Sequence, residues 1–424
     1  MTDELIASPP ARLDGYIPGR KADLAAAIAA QAEADPDAAT MKEVLRLLGA
    51  LLHHGAHDEL EQLKSLYDPL DPDAPPAKRD STPEAFALFE SALIAALERA
   101  NFREIEAENV QTREATKHLT GLSIKASLAG IRRIRFFARG HRQDKFEIKE
   151  WFGLKKRIVE SEVMNDVVVL VGFKAAGEIG KSDRGAFAKM RRGVRPGSAL
   201  VKHFRNVAAP ELVTLHPGAK PSMRGSDQVF LAAPALVGGV PVLLNLWPAL
   251  TVLAAVAAAY FTAGQVIDNE RLTRAVGALG GLVAVGAFVM RQRMKLEATT
   301  LRYQKRLADT VYFRNLANNA GVIDLVIGQG EEQDAKEAYL AYCTLRRAGR
   351  PMAKGEIDNA AEEFLKSHLG QEVDFEIQDA LKKLEHLGLV TRVGDAYSAV
   401  APADALNRLD AAWDALFSFS ARRA

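Results

Sequence analysis

The sequence predicts an α+β membrane protein, and three observations carry that class. Val229 to Val266 runs 38 residues without Asp, Glu, Lys or Arg, and a second apolar stretch, Ala275 to Met290, follows almost at once. Apolar residues recur at helical spacing before residue 100 and after residue 331. Between 101 and 226 the pattern changes to short strand-like runs. The predicted order is a helical N-terminal region (1–100), a basic α+β domain with an antiparallel sheet (101–226), and a two-helix transmembrane hairpin (229–290). A post-membrane helix and linker (291–330) and a winged-helix-like domain (331–424) complete it.

In the N-terminal region Leu24 and Ile28 begin a helical pattern. Met41 to Leu52 continues it, with Val44, Leu45, Leu47, Leu48 and Leu51 on one side, and Leu60 to Tyr67 extends it. Asp68 to Pro83 is rich in Asp and Pro and predicts an exposed loop. Pro83 to Ala100 is amphipathic. In the next domain Leu122–Ser127, Ile131–Arg139, Phe146–Trp151, Lys156–Ser161 and Val167–Phe173 read as strands. No Gly-rich phosphate loop, nucleophile elbow or carboxylate pair stands out there, and Gly172–Gly180 lacks the dinucleotide spacing.

A bilayer core about 30 Å thick needs roughly 20 apolar helical residues. Pro234, Pro241 and Pro248 crowd the start of the first stretch, so the first span is expected at about 241–261, with Trp247 and Tyr260 at the interfaces. The second span, about 275–290, lies between Arg274 and Arg291. The tight connector Asp268–Arg274 makes the pair antiparallel, and Gly277 with Gly281 offers a small-residue packing face. The competing reading, a buried hairpin core, fits the second stretch better than the first. Arg291, Arg293, Lys295, Arg302, Lys305 and Arg306 follow the hairpin. They place both termini in the cytoplasm at a bacterial inner membrane, or at a mitochondrial membrane if the source is eukaryotic.

Arg291 to Arg314 reads as a helix lying on the bilayer or packed on a soluble domain, broken at Asn318–Gly321. Helices over Gln333–Arg346, Lys354–Leu369 and Phe375–Leu387 precede a hairpin turning at Gly394–Asp395. Three helices and a wing suggest a winged helix. Asp374, Glu376, Asp379 and Glu385 face only Lys382 and Lys383 on its third helix, which argues against nucleic acid and for a protein partner.

The net charge of +1 hides an asymmetry: residues 1–100 carry 9 Lys/Arg against 18 Asp/Glu, and residues 101–226 carry 25 against 13. A basic domain beside a bilayer suits anionic lipids, or pairs with the acidic N-terminal region. The single cysteine, Cys343, allows no intrachain disulfide and fits a reducing compartment. His53, His54 and His57 lack both the zinc-protease Glu and a third ligand. No metal or cofactor is expected.

Several segments resemble the transmembrane protein 143 family. They are Tyr16–Leu24, Leu66–Pro72, Asn101–Ile105, Trp151–Leu154, Tyr312–Gly321 and Glu331–Gln333. Leu52-His53-His54 departs from that pattern, which has an aromatic beside the His. The resemblance implies a two-span membrane protein of no established activity, and it carries no catalytic residue.

The expected function is a membrane-anchored interaction or regulatory protein, with the bilayer, an unknown protein and another copy of itself as partners. The alternative is an enzyme at the membrane acting on a lipid or anionic substrate, through a polar cluster of Arg314, Asn315, Asn318, Asn319, Glu331 and Glu332 gathered with Trp151. Transport fits less well, because both spans lack ionisable residues.

Overall fold

The computed structural model describes residues 15–31, 37–75, 82–105, 123–125, 129–150, 155–181, 183–185, 194–217, 219–222, 312–370, 372–375 and 377–417, with scattered positions from 251 to 305. The chain divides into two compact units. One comprises Met1–Arg113, Leu128–Leu212 and Arg314–Ala424, and the other Glu114–Ser127 and Val213–Phe313.

The first unit is α+β. Helices α1 (Lys21–Gln31), α2 (Ala38–Tyr67) and α3 (Pro83–Arg99) come first. Thr82 caps α3, its hydroxyl accepting from the Ala85 N–H at 3.1 Å, and Pro83 takes the first helical position. The strands of this unit are β1 (Arg103–Ile105), β3 (Ile131–Glu150), β4 (Lys155–Phe173), β5 (Ala199–Ala208) and β7 (Asn315–Asn318). They form a five-stranded antiparallel sheet in the order β1-β3-β4-β5-β7. Strands β3 and β4 pair from Ile131↔Phe173 to Glu150↔Lys155, so four predicted strands are in fact two long ones. Strand β5 pairs with β4 only over Val163–Gly172, so the outer part of that hairpin extends as a ribbon past β5. Polar residues 143–145 do not interrupt it, because a ribbon outside a core needs no apolar face.

Helix α4 (Ala320–Ala348) spans 29 residues, about 43 Å, and ends at Gly349 in the left-handed conformation (φ 62°). It begins well before the predicted start at Gln333. Beyond it come β8 (Met352–Ala353), α5 (Lys354–Leu369), α6 (Ile377–His386), β9 (Val390–Val393), β10 (Ala396–Ala399) and α7 (Pro402–Ala415). Strands β8, β10 and β9 make a small three-stranded sheet.

Two apolar clusters lie in this unit. In one, Ile17, Leu24 and Ile28 and one face of α2 meet Tyr339, Tyr342 and Leu345 of α4 and the helices after it. The first and last helices of this unit therefore share a core. In the other, Phe86, Phe89, Leu93 and Leu97 of α3 and Val322, Ile323, Val326 and Ile327 of α4 cover one sheet face at Phe137, Val168, Leu170 and Val201.

In the second unit β2 (Ser123–Lys125) pairs with β6 (Lys220–Ser222), and the described positions from 251 to 305 are helical. Here the structure corrects the sequence reading. Among the described residues no helix is long and apolar enough to cross a membrane. A span needs an unbroken helix of about 20 residues, and freedom from charge does not by itself supply one. The two-span hairpin, the membrane fold class, the integral-membrane function with its membrane-enzyme alternative, and the inner-membrane or mitochondrial location with cytoplasmic termini are therefore withdrawn. The stretch 229–250 lies outside the described residues. At Gly277, expected to pack against a neighbouring helix, an added Cβ would meet nothing within 4 Å among the described residues, and Gly281 lies outside them.

The contact of α3 with the sheet is tight at Gly172, where an added Cβ would stand 2.5 Å from Cζ and 2.7 Å from Cε2 of Phe86. Gly172→Ala should cost about 1–3 kcal/mol in urea unfolding. In the background of Phe86→Ala, where that ring is gone, the same change should cost much less; equal costs in the two backgrounds would refute the contact.

Candidate functional site

The face of the sheet under α3 ends in charge. By strand alternation Arg139, Asp166 and His203 lie on the same side as Phe137, Val168 and Val201. All three are at least 97% buried. Arg139 Nε and Nη2 donate to Asp166 Oδ2 at 3.1 and 3.0 Å, and Nη1 donates to the Ala100 carbonyl at 2.8 Å. His203 Nε2 donates to Asp166 Oδ1 at 3.1 Å, and Arg205 Nε approaches the same oxygen at 3.4 Å. Burial alone would raise the Asp166 pKa. The His203 hydrogen bond and the Arg139 charge outweigh it and hold the carboxyl at about 2.

Beside this network runs a strap, Gly15–Arg20, leading into α1 at Lys21, which α4 grips with polar side chains. Gln333 accepts from the Ile17 N–H and donates to the Ile17 carbonyl, both at 3.1 Å. Lys336 Nζ donates to the carbonyls of Ile17 (2.6 Å) and Gly19 (2.8 Å). Glu332 accepts from the Lys21 N–H at 2.9 Å, while Glu331 pairs with the Lys21 ammonium and, at 2.9 Å, with His53 Nδ1. Asn101, in the left-handed conformation (φ 60°), donates to the Gly15 carbonyl at 2.6 Å and to Glu337 at 3.3 Å. The Tyr16 ring joins strap and network: the Arg139 guanidinium lies 4.5 Å from its centroid and Lys336 Nζ 5.8 Å. Burial pushes the Lys336 ammonium down to about 8.

Residues 330–337 of α4 thus form a buried polar belt between its two apolar halves. Asp334 completes it, pairing with Lys383 at 2.5 Å and with Arg99 at 3.6 Å; burial raises its pKa and the Lys383 charge opposes that.

An imidazole oriented by a carboxylate is a general-base arrangement. With Nε2 donating to Asp166, the Nδ1 lone pair has no partner among the described residues. His203 is 0% exposed, however, and Phe102 packs edge-on at 6.1 Å, so no substrate reaches it in this conformation. The buried Cys343 thiol is pushed up to about 12, which removes it as a nucleophile near neutral pH. No group of three or more His, Cys, Asp or Glu among the described residues is placed to hold a metal. His53 serves Glu331, and His54 packs edge-on against Phe417 at 5.3 Å.

The polar cluster expected from the sequence does not assemble as one group. Arg314 pairs with buried Glu211. Asn315 and Asn318 belong to the edge strand β7. Asn319 (φ 52°) starts α4, with its N–H on the Val201 carbonyl at 2.7 Å and its amide on Asp73 at 2.7 Å. Glu331 and Glu332 lie about 18 Å further along the helix. Trp151 lies outside the described residues. Gln333, Lys336, Arg139, Asp166 and His203 were missed. For Gln333 and Lys336 the one sequence signal is a polar block inside a helix that is apolar on both sides of it; Arg139, Asp166 and His203, on three different strands, carry none.

A family model described as a protein of unknown function (DUF3754) matches residues 164–321. The matched segment holds Asp166, His203 and Asn315–Asn319 but neither Arg139 nor the α4 belt. It does not support the resemblance to the transmembrane protein 143 family, which is corrected here together with the membrane spans it implied. No solved structure matches the chain.

Asp166→Asn would leave the Arg139 guanidinium buried without a counter-charge and should cost about 3–5 kcal/mol at pH 7. Folding lowers the Asp166 pKa from 3.8 to about 2. Its stabilisation is therefore present above pH 4 and is lost as the pH falls to 2, by roughly 2 kcal/mol relative to Asp166→Asn. Parallel pH–stability curves for the two proteins would contradict the pairing. Gln333→Ala should speed amide exchange at Ile17 about tenfold or more and leave the β4 amides unchanged. Unaltered exchange at Ile17 would show that the strap is held by other contacts.

Proposed function

We propose that the protein is a protein-interaction module whose C-terminal layer, a winged-helix-like arrangement of α4–α6 with the β9–β10 wing, receives a protein and not a nucleic acid. One observation carries this reading: the lysines of the third helix are engaged by the chain's own carboxylates. Lys383 pairs with Asp334 at 2.5 Å and Lys382 with Asp379 at 3.1 Å. Phosphate contact needs unneutralised cations on that face. At the wing, Arg392 lies against Asp395 (3.4 Å) and the Tyr397 ring, while Val393 is 77% exposed. An apolar tip flanked by an internally paired Arg suits a protein surface.

A photo-crosslinking residue in place of Val393, used in cells of the source organism, should yield a discrete protein adduct. A labelled 20-base-pair duplex at low salt should bind no tighter than about 100 µM, the weak end of non-specific binding. Micromolar duplex binding that weakens steeply with salt, and is abolished by Lys382→Ala/Lys383→Ala, would overturn the reading.

A further inference from the structure

Helix α7 carries a second surface that the wing does not use. Pro402, Ala405 and Leu409 are its buried residues, and Leu406 and Ala412 pack partly against the core. Trp413, four residues past Leu409, carries that face on to the end of the helix, and Phe417 lies in the turn just past it; they are 38% and 62% exposed. Helical spacing sets Asp410 and Asp414 beside them on the solvent side, both exposed. The Phe417 ring is propped from behind by His54 of α2. The one basic residue of α7, Arg408, is turned onto the Gly388 carbonyl and away from this acidic edge. An aromatic pair edged by two carboxylates differs from a scattered exposed leucine: its apolar and charged parts lie together over the last turn of one helix and the turn that follows it.

We infer that this stripe docks a basic amphipathic helix of a partner protein. Apolar residues of that helix would seat on Trp413 and Phe417, and its Lys or Arg would pair with Asp410 and Asp414. Aromatic side chains are the usual anchors of such sites, and the carboxylates select the sign of the partner. The inference rests on the interaction reading proposed above but uses none of the wing residues. The chain itself has an exposed basic, apolar helical stretch, with Val289, Met290, Met294 and Leu301 beside Arg291, Arg293 and Lys295, so a second copy must be separated from a foreign partner.

The probe is an 18-residue helical peptide of leucine and lysine, with a leucine and glutamate peptide as control, titrated calorimetrically into the full-length chain. The lysine peptide should bind at least about tenfold tighter than the glutamate peptide. Trp413→Ala/Phe417→Ala should weaken it about tenfold, and Trp413→Phe should keep most of the affinity. Asp410→Asn/Asp414→Asn should flatten its salt dependence. Leu88→Ala, at an exposed apolar position on α3, and Val393→Asp should leave binding unchanged; the latter separates this site from the wing. Matching thermal melts show that the variants remain folded. Equal affinity for the two peptides, or indifference to both aromatic substitutions, overturns the proposal. A concentration-dependent dimer in light scattering that Phe417→Ala disperses also overturns it, by giving the stripe to a second copy.

Discussion

The polar belt of α4 is the constraint on which the first unit depends. A helix whose two ends are buried in two different apolar cores must carry its middle through the protein interior. Buried charges survive there only when paired or fully hydrogen-bonded. Each belt residue therefore requires a particular neighbour. Gln333 and Lys336 take the strap, Glu337 takes Asn101, and Asp334 takes Arg99 and Lys383. Those neighbours come from the N-terminus, the α3–β1 turn and α6. Satisfying one short run of helix brings distant parts of the chain to one level.

The same demand reaches the sheet through Tyr16. Arg139 is held from below by Asp166 and capped from above by the Tyr16 and Phe102 rings, 4.5 and 4.6 Å from its guanidinium. Lys336 approaches the Tyr16 ring as well, and the nearby Arg139 charge adds to the burial that lowers its pKa. Two cations are tolerated there because Asp166 neutralises one and backbone carbonyls solvate the other. The strap is thus a structural ligand of both the sheet and α4, although it is only a few residues long.

Much of the helical framework was legible in the sequence, and the sheet and the belt were not. The stripe Val44, Leu45, Leu48 and Leu51 marked α2, and the amphipathic run from Pro83 to Ala100 marked α3, because those helices bury one face and expose the other. Strands β3 and β4 were each read as two pieces, since a ribbon beyond its neighbours need not alternate apolar and polar residues. Strand β7, Asn315–Asn318, is a poor strand former and pairs only because β5 offers it an open edge. Glu331 and Glu332 drew attention as charges, but a charge in a helix normally signals solvent, and nothing local shows that this helix is enclosed nearly all round from Gly330 to Cys343. The charge-free run from Val229 misled in the opposite sense, since freedom from charge is not by itself a membrane span, and among the described residues no helix is long and apolar enough to be one.

The belt also answers a problem that its apolar flanks create. Val322, Ile323, Val326 and Ile327 on one side and Ala338–Leu345 on the other are apolar contacts that set no single register by charge or hydrogen bond alone. A helix held by them alone could slide by one turn, about 5.4 Å, at modest cost in packing. With Gln333 bonded to both the N–H and the carbonyl of Ile17, the same slide would strand four hydrogen-bonding groups and separate Asp334 from Lys383. Well-packed leucines in place of the belt would match its stability, as for other buried ion pairs, yet they would leave the axial position of α4 less specified. Its polar residues contribute register more than energy, which is why strap, sheet and C-terminal helices meet in one arrangement.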